Sequence, residues 1–162
     1  MLQKQFTQVS LPVAPKPTEI TSNIDTSGWP LYMNSKYNYE LRYPSDMKVA
    51  SFDGMGVYGK VDAQSDAVYL TGPAGDFVDI NIANLSALSP EKLRELFATI
   101  PQKDITITAV LISGLSGYKV VIAENITTDF YFVNKPGEHT LDISVAKNSA
   151  LALGVLTTIK YR

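Results

Sequence analysis

Residues 36–47, KYNYELRYPSDM, constrain the fold of this chain more than any other stretch. Tyr37, Tyr39, Leu41 and Tyr43 alternate with Asn38, Glu40 and Arg42. A period of two places one set on each face of an extended chain, so the pattern predicts a half-buried β-strand. Pro44 ends it, because proline fixes φ and has no N–H to give to a ladder. The same alternation returns at Val78, Ile80 and Ile82 against Asp79 and Asn81. It recurs at Leu141, Ile143 and Val145 against Asp142 and Ser144. A chain that repeats this period must build a sheet with one face turned to a core.

Between these anchors, short runs bounded by Asp, Gly or Ser predict further strands at Lys48 to Phe52, Val57 to Lys60 and Ala67 to Gly72. One helix is predicted after Ser89, a good N-cap, with Pro90 at the first helical position and Glu91 favourably placed in the first turn. Leu93, Leu96, Phe97 and Ile100 form a single apolar stripe on it, and Pro101 stops it. Strands are then expected at Ile105 to Ile112, Tyr118 to Glu124, Thr128 to Asn134 and His139 to Ala146. The last two are joined by a Pro-Gly turn. A short helix capped by Asn148 or Ser149 and reaching about Thr158 closes the chain, carrying Leu151, Val155, Leu156 and Ile159. Strands arrive in runs with the helices set apart, which is an α+β order built on an antiparallel meander.

The order of aromatic, small, aromatic, polar, apolar and polar residues before Tyr43-Pro44 resembles the opening strand of Mog1/PsbP-like domains. The closing Leu156-Thr157-Thr158-Ile159-Lys160-Tyr161 is similar to the Leu-x-Ser-Phe-Lys-Phe ending of that family. The resemblance spans about Trp29 to Tyr161. It departs from the pattern at Asn38, where Gly is usual, and at Met47, where Trp is usual. It implies an α/β/α sandwich at residues 29–162 and a non-enzymatic binding or assembly role. It also implies a place in a bacterial cell envelope, outside the cytoplasmic membrane. Residues 1–28, with Pro12, Pro15 and Pro17 among Ser, Thr and Gln, read as a flexible tether. That segment is either a loosely packed arm or a stalk to an anchor or removed signal upstream.

Composition narrows the chemistry. With 162 residues and 45% hydrophobic content, the chain holds enough apolar mass for one domain with a real core. A formal net charge of -2 without a basic run disfavours nucleic acid as a partner. No apolar run reaches the ~18–20 residues that span a bilayer. Cysteine is absent, which removes disulfides, thiolate nucleophiles and Cys-based zinc sites. The single histidine, His139, stands after Glu138 at an edge or exposed position with no HExxH spacing, and no GxSxG elbow occurs.

Three functions are therefore carried forward. The first is a protein-binding or assembly module with no cofactor, for which Tyr32, Tyr58 and Tyr131 are the aromatic contact candidates if they reach the surface. The second is a small-ligand or Ca²⁺-binding domain using the Asp/Gly loops of residues 53–76, where Asp53, Asp62, Asp66 and Asp76 offer oxygen ligands without a DxDxDG spacing. The third is a hydrolase with an unrecognised site that includes His139.

Overall fold

The computed structural model describes residues 15–52, 66–83, 85, 88–135 and 139–162. Its strands, in chain order, are β1 (Thr18–Ile20), β2 (Leu31–Asn34), β3 (Tyr39–Arg42), β4 (Lys48–Phe52), β5 (Ala67–Thr71) and β6 (Phe77–Ala83). Helix α1 (Pro90–Leu96) follows, then β7 (Ile105–Ile112), β8 (Leu115–Ile122), β9 (Thr128–Asn134) and β10 (Thr140–Ala146). Helix α2 (Ala150–Leu156) and β11 (Lys160–Tyr161) end the chain. The fold is α+β, as the separation of strand runs from helices predicts.

Eight strands form one mixed sheet in the order β1-β7-β8-β9-β10-β6-β5-β4. Strands β4–β6 and β7–β10 are two antiparallel meanders, joined where β10 pairs with β6. The register sets Leu141 opposite Ile82 and Val133, and Ile143 opposite Ile80 and Tyr131, so these residues share one face. That face carries the main core, including Val68, Leu70, Val78, Ile80, Ile112, Val133, Leu141 and Ile143, all at 0% exposure. Helix α2 lies on it through Ala152, Val155 and Leu156. A second sheet, β11-β3-β2, closes the same side through Tyr32, Tyr39 and Leu41. The opposite face holds a smaller cluster in which Leu93, Phe97 and Ile100 of the α1 region pack on Ile105, Val120 and Phe132. The result is a layered sandwich with a helix on each side of the large sheet.

The two motifs that carried the family resemblance are hydrogen-bonded neighbours. β11 pairs with β3, placing Lys160 opposite Glu40 and Tyr161 opposite Tyr39. The Thr158 hydroxyl accepts from the Arg42 N–H at 2.8 Å and ties the end of the chain to the Tyr-Pro strand. Asn38 has φ +53°, in the left-handed region that Gly adopts freely and Asn tolerates better than most side chains. A four-residue loop with that bend joins β2 to β3, so the strand starts at Tyr39, two residues later than its alternation predicts. Met47 is 5% exposed and joins the core where the family pattern has an aromatic ring.

Several expectations are corrected. Thr18–Ile20 is a parallel edge strand on Val110–Ile112, and the Trp29 ring lies against Gly154 of α2. The expected tether is therefore folded from Thr18 onward, because Ile20 and Trp29 find apolar partners that their local sequence does not reveal. Residues 1–14 lie outside the described residues, as does the strand expected at Val57 to Lys60. β2 and β11 were not foreseen as strands. α1 stops at Leu96, which is 53% exposed, so the stripe on the sheet consists of Leu93, Phe97 and Ile100. α2 stops at Leu156, two residues short of the predicted end, and its cap is Ser149.

Candidate functional site

Strand β2 turns two large apolar side chains outward at the edge of the smaller sheet. Among the described residues it pairs with β3 alone. Period-two alternation buries Tyr32 and Asn34 and turns Leu31 and Met33 outward, at 42% and 45% exposure. Tyr43, Asn38 and Arg162 border the cleft of about 400 Å³ that runs along this strand. Arg162 is held there by Glu40, Nε to Oε2 at 2.8 Å, and its Nη1 lies 3.3 Å from the Met33 sulfur. Two outward apolar side chains on an edge strand offer an anchor for an extended segment laid along it.

A polar cleft of different character lies between β1, strands β8–β10 and α2, with a volume of about 290 Å³. On the sheet floor, Lys119 Nζ meets Asp129 Oδ2 at 2.7 Å and stands 5.4 Å from the centre of the Tyr131 ring. Asp129 is only 7% exposed, and its Oδ1 is buried with no hydrogen-bond partner among the described residues. Leaving such an oxygen unpaired costs on the order of 1–3 kcal/mol. Burial works against the Lys119 ammonium, but its hydrogen bond to Asp129 and the neighbouring Tyr131 outweigh this and hold its pKa above the ordinary lysine value. Burial raises the Tyr131 phenol, with Lys119 opposing.

The opposite sheet face bears two carboxylates on adjacent strands. Asp142 faces Asn81 and Ser144 faces Asp79, so Asp142 and Asp79 are diagonal neighbours. Burial, and then the charge of Asp79, push Asp142 up to about 6. Burial also raises Asp79, against a hydrogen bond from Asn81. These groups are half-buried strand positions, not the freely solvated polar face that alternation alone implies.

Comparison with known proteins adds a fold likeness. No protein-family model matches the chain, and no curated protein matches it. Among solved structures it is similar to cyanobacterial PsbP (CyanoP) of Synechocystis sp. PCC 6803, at 15% identity and TM-score 0.49, covering 88% of this chain and 97% of that one. It is also similar to a protein of Bacteroides thetaiotaomicron VPI-5482, at 14% identity and TM-score 0.48, covering 82% of this chain and 48% of that one. This chain thus spans about half the length of the Bacteroides protein.

Within this fold the residues singled out in the sequence are dispersed. Tyr32 and Tyr131, the candidates for exposed aromatic contacts, are 4% and 1% exposed and belong to the core. Both are corrected: strand alternation turns Tyr32 inward beside Tyr39, and Tyr131 shares the core face with Val133 and Ile143. Tyr58, Asp53 and Asp62 lie outside the described residues. Asp66 accepts hydrogen bonds from Lys36 and the Tyr37 hydroxyl, which hold its carboxyl below the usual carboxylate range. Asp76 accepts from the Ser149 hydroxyl at the start of α2. The two aspartates thus serve separate networks. Among the described residues no group of three or more His, Asp or Glu is placed to hold a metal ion.

His139 is half-buried, edge-on to Tyr37 at 5.1 Å and to Tyr161 at 5.6 Å, and not at the open position expected of it. Neither Leu31 nor Met33 stands among the candidates read from the sequence. Their signal was the Leu31-Tyr32-Met33 run, apolar on both faces of one short strand. Lys119 and Asp129 carried no local signal, since only the β8–β9 register brings their strands together.

Proposed function

We propose that this chain is a non-enzymatic protein-binding module whose docking surface is the outer edge of β2. The observation that carries the reading is the exposure of two outward apolar side chains, Leu31 and Met33, beside a cleft, on a strand that pairs with β3 alone among the described residues. An extended segment of a partner protein adds to β2 as a further strand, with backbone hydrogen bonds giving affinity and Leu31 and Met33 contributing apolar contact. Arg162 at the rim favours a partner segment carrying a carboxylate. In this reading the module works in the cell envelope, outside the cytoplasmic membrane.

A photo-crosslinking amino acid placed at position 31 or 33 tests the surface in the source cells. One recurrent adduct is expected from these positions, and none from Thr106, which is exposed on β7 in the other sheet. The double change Leu31→Lys and Met33→Lys should abolish capture of the same partner while leaving the melting temperature within about 2 °C, as surface changes do. Equal labelling from all three positions, or none from 31 and 33, contradicts the proposal. Fractionation of the tagged protein checks the location: recovery with the cytoplasmic contents would refute the envelope reading.

A further inference from the structure

We propose that the cleft between β1, strands β8–β10 and α2 binds a small molecule through a protonated amine. This site lies apart from the β2 edge and does not depend on the docking function. Glu19, Thr21, Lys119, Asp129, Tyr131 and Asn148 contribute to its lining. Two carboxylates and one ammonium among them leave an excess of negative charge, which selects cations over anions.

The Lys119 ammonium already shows how a cation is held there. It sits 2.7 Å from Asp129 Oδ2 and 5.4 Å from the Tyr131 ring centre, a carboxylate and an aromatic face acting on one charge. Lys119 is also the movable partner. Its side chain is 28% exposed, against 11% for that of Asp129, and its flexible four-carbon stem can carry the ammonium out to water. An amine ligand then takes the vacated place between Asp129 and Tyr131. As Lys119 leaves, Asp129 Oδ1, now buried and without a partner among the described residues, opens to a second N–H from the ligand. Glu19 at the β1 wall meets a second positive or hydrogen-bonding group. A cleft of about 290 Å³ suits a compact molecule such as a short diamine or an amino alcohol.

The test titrates the full chain with putrescine, with ethanolamine and with acetate, followed by amide and side-chain NMR shifts. Both amines should move the signals of Glu19, Asp129 and Tyr131, while acetate should not. Lys119→Met removes the internal competitor and should bind putrescine roughly tenfold more tightly, a shift that a merely structural ion pair would not produce. Asp129→Asn should lose amine binding. Because that variant removes a buried charge and is liable to misfold, Glu19→Gln provides a second arm and should weaken putrescine several-fold. No shift with either amine overturns the proposal, as does equal response to acetate. So does a Lys119→Met protein that binds no more tightly, or a Glu19→Gln protein that binds unchanged.

Discussion

At the scale of single residues, half-buried charge governs how stability responds to pH. Asp142 has its pKa raised from an ordinary 3.8 to about 6, by burial and then by Asp79. A carboxyl whose folded pKa is raised favours folding while protonated. Its contribution is complete below the unfolded pKa and is lost as pH rises through the folded value. Unfolding free energy should therefore decline between about pH 4 and pH 6, by roughly 2–3 kcal/mol from this residue, with Asp79 acting in the same direction. Asp142→Asn should flatten that slope and raise stability at pH 7. Urea unfolding across the range checks it, and a slope unchanged in the variant would contradict the assignment. This behaviour was not legible in the sequence. Alternation shows which residues share a face, whereas the dielectric around them is set by whatever packs on that face.

At the scale of elements, two contacts hold the large sheet and α2 in register. Gly117 on β8 lies so close to β9 that a Cβ built on it would stand 2.3 Å from the Phe132 carbonyl oxygen. Gly117→Ala should force β8 and β9 apart and destabilise the protein by about 2–3 kcal/mol, measured by chemical denaturation. A change under about 0.5 kcal/mol would show that the strands yield easily. Ser149 caps α2, accepting from the Ala152 N–H at 2.9 Å and donating to Asp76. Ser149→Ala removes both bonds in a nearly buried site and should lower stability by about 1–2 kcal/mol. The equivalent Ser89→Ala change at α1, an exposed cap, should cost no more than about 1 kcal/mol. Sequence identified Ser89 and narrowed the second cap to Asn148 or Ser149, because capping is local chemistry. It missed β2 and β11, since Leu31-Tyr32-Met33 is apolar on both faces and so shows no alternation in residue type, two residues are too few to display a pattern, and both strands are defined by pairing with β3.

For the whole molecule, the N-terminal region is more than a link. β1 lies parallel to β7, and Ile20 packs on the main core. Deleting residues 1–22 should lower stability by about 2 kcal/mol through lost burial and ladder hydrogen bonds. It should also expose the β7 edge, so association should rise in size-exclusion chromatography. A truncated chain with unchanged melting temperature and size would return this segment to a tether. By itself the sequence determined the α+β class, the long strands, both helix starts and the resemblance carried by the Tyr-Pro strand and the closing motif. Hydrophobic period, proline and caps act within a few residues, so they can be read directly. Only the tertiary structure decided that the two resembling motifs are neighbours and that Tyr32 and Tyr131 are core while Leu31 and Met33 face water. It alone assembled the Lys119–Asp129–Tyr131 cleft. Those outcomes depend on strand order and on what covers each face, which are properties of contacts between residues far apart in the chain.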